Sequence, residues 1–154
     1  MDLESELRVV EDAVEVAAFL TANGGTLTAG WTPGATEPDP ADEPGVYWLT
    51  MRPKSATSER YIARVAWSRY PGAPPSIKYA TGVRGHLDIS SAWPNVPGAR
   101  PGNFDFCSEF TAEGYQTHPE WEVQRPWATT GSPFMWIAQI LQGQLDRSYG
   151  GRAA

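Results

Sequence analysis

The chain has 154 residues, 41% hydrophobic and 19% charged, which sets the scale of one folded domain and argues against a disordered chain. A net charge of −6, with Lys54 and Lys78 the only lysines, argues against a surface built to grip nucleic acid, because phosphate binding needs concentrated cationic side chains. Cys107 is the single cysteine, so no internal disulfide is available. Met1-Asp2-Leu3-Glu4 lacks the basic and apolar regions of a secretory leader, and no apolar run approaches the length of a membrane span; a cytoplasmic protein without membrane contact is the expectation.

The first segment reads as a helix whose apolar stripe is Leu3, Leu7, Val10, Val14 and Ala17, at helical spacing, with acids on the other faces and Asn23-Gly24-Gly25 as its stop. Thr26–Trp31 reads as a short strand. Thr32 to Gly45, rich in Pro, Gly and acids, reads as an exposed loop. Val46–Arg52 and Arg60–Ser68 are strand-like. In the second, Tyr61, Ala63, Val65 and Trp67 share one face. Ser76–Ala80 is a further strand, introduced by Pro74-Pro75. Together these predict an α+β fold, an antiparallel meander of about four strands covered by the N-terminal helix.

Gly82 to Pro126 is irregular and holds both histidines and the cysteine; a long irregular stretch in a compact domain is usually functional or mobile. Order returns at Ser132, an N-cap candidate, with Pro133 at the first helical position and Phe134, Ile137, Ile140, Leu141 and Leu145 as the stripe of a C-terminal helix. Residues 1–149 then form a single domain, and 150–154 a flexible tail.

The string Tyr70-Pro71-Gly72-Ala73-Pro74-Pro75-Ser76-Ile77-Lys78-Tyr79 is similar to the Tyr-Pro-x-x-Pro-Pro-x-(Val/Ile)-x-Phe of the ubiquitin-conjugating (UBC-like) superfamily. Thr81 matches the threonine that follows this strand in the family. Phe104-Asp105-Phe106-Cys107-Ser108 looks like the family's Gly-x-Ile-Cys-Leu, with Gly102 displaced upstream, and Trp127 is similar to its tryptophan before the next helix. With the order helix, meander, Pro-Pro turn, cysteine segment, tryptophan, helix, nearly the whole chain resembles that superfamily, in a divergent bacterial-type branch. The resemblance implies a ubiquitin-like modifier carried as a thioester on Cys107. The modifier would come from an activating enzyme and pass to an acceptor amine or a ligase. Thiol exchange of this kind needs no metal or bound cofactor.

Two segments compete for the family's His-Pro-Asn, whose asparagine stabilises the oxyanion. His86-Leu87-Asp88-Ile89 keeps the histidine, and Trp93-Pro94-Asn95-Val96 keeps Pro-Asn. A neutral donor aimed at the developing charge is needed, so chemistry favours Asn95 over an ionised Asp88, whereas spacing favours His86 as the structural counterpart. Either assignment requires an insertion relative to the family. Asp105, Glu109, Glu113 and Glu120 are candidates for deprotonating an amine, and His118 for a pairing with Cys107. The histidines and the cysteine match no zinc spacing. Two further readings stand beside the enzyme. One is a catalytically inactive UBC-like adaptor, for which Cys107 is dispensable. The other is a small-molecule site using Trp31, Trp93 and Trp121, which fall outside the predicted core elements.

Overall fold

Asp2 opens helix α1 (Leu3–Ala22) by accepting the backbone N–H of Ser5 at 2.8 Å, and Asn23 closes it. The structure, a computed structural model, describes residues 1–30, 44–127 and 130–154, so most of the loop expected over Thr32 to Gly45, together with Trp31, lies outside the described residues. The sheet is an antiparallel meander in the order β1 (Thr26–Ala29), β2 (Val46–Met51), β3 (Tyr61–Ala66) and β4 (Ser76–Ala80). Its register sets Leu49 opposite Ala63 and Val65 opposite Ile77. One face therefore carries Tyr47, Leu49, Met51, Tyr61, Ala63, Val65, Ile77 and Tyr79 into the core. The opposite face carries a smaller buried cluster of Val46, Trp48, Ile62 and Ala80.

The core face is covered by α1 and by α4 (Pro133–Arg147), which pack on each other. Ser132 caps α4, its Oγ accepting the N–H of Met135 at 3.2 Å, and Phe134, Ile137, Leu141 and Leu145 are fully buried along it. The α+β outline expected from the sequence is therefore present: N-terminal helix, four-strand antiparallel sheet, C-terminal helix.

Helix α1 turns a different face inward from the one expected. Its buried residues are Ser5, Val9, Ala13, Val16 and Leu20, while Leu3, Leu7 and Val14 are exposed. The helix has two apolar stripes. The sheet and α4 take the one whose small residues, Ser5 and Ala13, let the backbones approach.

The region from Gly82 to Pro126 is also more regular than its composition predicts. It contains a 3₁₀ turn at Ser90–Ala92, a ribbon of β5 (Ala99–Arg100) and β6 (Asp105–Phe106), and two short helices, α2 (Ala112–Thr117) and α3 (Trp121–Gln124). Trp93, expected outside the core, is fully buried beside Tyr79.

The end of the chain is not free either. Asn95 N–H donates to Gly151 O at 2.8 Å, Gly150 N–H to Asn95 O at 2.8 Å, and Ala153 N–H to Trp93 O at 2.9 Å. Arg152 lies 4.4 Å over the Tyr61 ring and pairs with Glu59 at 2.6 Å. The tail predicted to be flexible is thus a short strand-like segment laid against 93–95. Its backbone finds partners there that the Gly150-Gly151 pair does not advertise in sequence. No helix among the described residues is long and apolar enough to cross a membrane.

Candidate functional site

Strand β4 is one edge of the meander, and the β5–β6 ribbon lies beside it. Phe106 anchors the ribbon: it is fully buried, stacked on Tyr79 with centroids 6.3 Å apart and tilted against Phe110 at 5.4 Å. Lys78, on the opposite face of β4 from Tyr79, donates to Phe104 O at 3.1 Å. The edge strand therefore grips the ribbon from both faces. Phe104 has a φ of +52°, so the chain leaves the extended conformation just before β6, and its side chain packs partly buried against the same core that takes Phe106.

Cys107 follows Phe106 directly and is half-buried, with a free thiol. Its N–H donates to Gly98 O at 2.8 Å. Gly98 has a φ of +87°, and a Cβ there would stand 2.9 Å from the Cys107 carbonyl oxygen and 3.0 Å from the Phe106 ring, so only glycine fits this approach.

On the other side of the cysteine, Thr111 is completely buried. Its hydroxyl accepts the N–H of Ser108 at 3.2 Å and of Gly114 at 3.0 Å, and donates its one hydrogen to Phe106 O at 2.5 Å, with Ser108 O also near at 3.1 Å. One hydroxyl thus ties the residues on both sides of Cys107 to the start of α2. The close packing continues at Gly114, where a Cβ would fall 1.9 Å from Ser108 O.

The charged groups around the cysteine are largely committed to one another. Arg100 and Asp105 face each other across the ribbon in a two-bond pair at 2.6 and 2.5 Å. The hydrogen bond to Asp105, then the charges of Asp105 and Cys107, hold the Arg100 guanidinium above its ordinary pKa. Glu109 pairs with Arg125, and Glu113 accepts a hydrogen bond from Ser76. Glu120 stands 3.2 Å from His118 Nδ1, and the His118 ring stacks on Trp121 at 4.2 Å. All four carboxylates suggested as bases therefore have partners, and His118 is spent on Glu120 and Trp121 rather than on the thiol.

The two oxyanion candidates are placed differently. Asn95 is exposed, with its backbone in the ladder to the C-terminal segment and its side-chain Nδ2 at 3.5 Å from Gly150 O. It lies three residues before Gly98, the direct backbone partner of Cys107. His86 and Asp88 are exposed in the loop after β4. That loop is closed by Thr81: its N–H donates to His86 O at 3.0 Å, and its Oγ1 accepts the His86 N–H at 2.9 Å. Leu87 between them packs on the outer-face cluster with Ile62 and Trp48. No hydrogen bond among the described residues joins Asn95, His86 or Asp88 to the Cys107 sulfur.

Sequence reasoning missed Thr111, Gly98, Arg100 and Lys78. A capping signal at Thr111, with Glu113 in the first turn after it, was available in the sequence; the other three act only through tertiary contacts.

A separate cleft of about 540 Å³ opens between the Pro-rich turn and α2–α3. Ala73, Pro74, Ala112, Tyr115, Glu122 and Trp127 are among its lining residues, and Cys107 is not. Trp127 turns its indole N–H to Pro71 O at 2.8 Å, fixing the Pro-rich turn to the segment before α4. Among the described residues no group of three or more His, Cys, Asp or Glu side chains is placed to hold a metal ion. No protein-family model matches the chain, and neither a curated protein nor a solved structure is detectably similar to it.

Proposed function

We propose that the protein is a UBC-like thioester carrier in which Cys107 accepts a ubiquitin-like modifier and passes it to an acceptor amine or a ligase. The observation that carries this reading is the setting of Cys107. It is half-exposed on a backbone fixed by Gly98 on one side and Thr111 on the other, at the end of a ribbon gripped by the edge strand. A carrier cysteine needs a thiol that is reachable from solvent on a backbone that stays in place.

In the reaction, the Cys107 thiolate attacks the carbonyl carbon of the modifier's thioester on its activating enzyme. The activating enzyme's thiolate leaves, and a new thioester stands on Cys107. An acceptor amine then attacks that carbonyl, the Cys107 thiolate departs, and the amine's proton goes to solvent or a carboxylate. Asn95, by chemistry and by its nearness along the chain to Gly98, is the donor for the tetrahedral oxyanion. A reducing cytoplasmic location goes with this reading, because the working thiol must stay free.

One observation favours the adaptor reading: the carboxylates are paired off, and no candidate donor touches the sulfur. The alkylation rate of Cys107 in the native protein, against the denatured chain across pH, separates the two, and a single cysteine makes the readout unambiguous. Labelling of the native protein within about tenfold of the denatured rate supports the carrier. Labelling only on unfolding means a closed-off thiol and leaves the adaptor. With the cognate activating enzyme, modifier and ATP, the carrier forms a thiol-sensitive adduct, and Cys107→Ser forms at most a more stable ester.

A further inference from the structure

The apolar residues that α1 does not bury are ordered. Leu3, Leu7, Val10, Val14 and Ala17 are separated by 4, 3, 4 and 3 positions, the seam spacing of a coiled-coil heptad. Leu3, Leu7 and Val14 are 69%, 52% and 70% exposed, and their spacing sets them along one stripe of the helix rather than singly. Val10 and Ala17, between them, are half-buried. The core stripe of the helix, Val9, Ala13, Val16 and Leu20, lies roughly a third of a turn away, and among the described residues nothing buries Leu3, Leu7 or Val14.

One border of the seam is acidic, and the other carries a single acid before it meets the core. At 100° per residue, Glu4, Glu11 and Glu15 follow one border and Glu6 stands on the other, with Arg8 turned further round. No ion pair engages Glu4, Glu11 or Glu15 among the described residues. A second copy of α1 would set acid borders against acid borders, which opposes self-pairing, whereas lysine or arginine borders on a partner would be matched.

We propose that α1 is a docking face for a partner's amphipathic helix, with an apolar heptad seam bordered by Lys or Arg. The seam from Leu3 to Ala17 runs about 21 Å along α1 at 1.5 Å per residue, enough for two heptads of contact. The surface is independent of Cys107 and stands whether the protein is a carrier or an adaptor.

The test uses the full chain and a fluorescent peptide of about three heptads, with leucine at both seam positions and lysine along both borders. Saturable binding that weakens with added salt is expected. Leu3→Ala with Leu7→Ala and Val14→Ala should weaken it at least about tenfold, and alanine, the best helix former, keeps α1 intact. Val123→Ser, which removes an 88% exposed apolar residue on α3, should leave binding unchanged. Reversing Glu4, Glu11 and Glu15 to lysine should transfer preference to the same peptide with glutamate borders. The proposal is overturned if the lysine peptide does not bind, if binding ignores the seam substitutions or tracks Val123, or if sedimentation shows that the native chain pairs with itself through this face.

Discussion

Thr111→Val removes one oxygen and keeps the side-chain shape, and the structure fixes what that oxygen does. It caps α2, whose loss costs about 0.5–2 kcal/mol. Thr111 is fully buried, so the Ser108 and Gly114 N–H groups and the Phe106 carbonyl it serves have little water to turn to. Leaving a buried polar group unsatisfied costs about 1–3 kcal/mol. The two effects share the Gly114 bond, so their combination is about 2–4 kcal/mol, or roughly 5–15 °C in Tm for a domain of this size. Thermal unfolding followed by circular dichroism measures it. The same substitution frees both flanks of Cys107, so native-state alkylation should speed up at temperatures where the variant is still folded. Thr111→Ser, which keeps the oxygen and drops a methyl, should recover most of the Tm and the slower alkylation. If Thr111→Val melts within about 2 °C of the native protein, the argument that this hydroxyl frames the cysteine is wrong.

Gly98→Ala meets two obstacles, a left-handed φ that costs about 1–2 kcal/mol for an L side chain and a Cβ pressed on Cys107 and Phe106; a fall in Tm with altered alkylation is expected, and unchanged values of both would refute the close approach. The buried tyrosines make stability fall at high pH. Burial pushes Tyr47 up to about 12 and is the main cause raising Tyr61, Tyr70 and Tyr79 as well; Tyr70 also donates to Asp12 and Tyr61 shares a hydrogen bond with Tyr149. In the unfolded chain these phenols ionise near pH ~10, before the folded ones can. Stability is therefore intact below about pH 10 and falls above it, by up to about 1.4 kcal/mol per pH unit for each tyrosine. Urea midpoints that stay level from about pH 9 to pH 11 would contradict this.

The parts of the fold that are legible in the sequence are those in which local pattern and tertiary demand agree. Ser76–Ala80 forms a strand with the predicted bounds, because Pro74-Pro75 opens it and its alternate residues Ile77 and Tyr79 are the ones the core takes. Ser132-Pro133 starts α4 for reasons contained in those two residues. Helix α1 is legible as a helix but not in its orientation, since two stripes of similar apolarity satisfy the same periodicity and only the shape of the sheet and α4 chooses between them. The cysteine segment is the least legible. Its order comes from contacts distant in sequence: Lys78 with Phe104, Gly98 with Cys107, and Asn95 with Gly150.

That last contact bears on which residue serves the oxyanion if Cys107 is a carrier. Bringing His86 or Asp88 to the sulfur means displacing a loop held by both Thr81 hydrogen bonds and by Leu87 packed on the outer face of the sheet. Turning the Asn95 side chain breaks one long, exposed contact of 3.5 Å to Gly150 O and leaves its backbone ladder in place. A bond of that length contributes little, so the amide is free to re-aim at small cost. Cys107 loaded with an acetyl group from a small thioester and discharged by added lysine reports the donor without the natural modifier. Asn95→Ala should slow discharge by about 10-fold or more, in the direction of the 10²–10³ loss seen when an oxyanion donor is removed from a closed site. His86→Ala and Asp88→Ala should stay within about twofold of the native rate, because both belong to a loop tied to Thr81 and to the outer face of the sheet. A slow Asp88→Ala with a normal Asn95→Ala would reverse the assignment. Equal rates in all three would mean that nothing near Cys107 is organised around a tetrahedral intermediate, and the adaptor reading would then account for the fold better than the enzyme does.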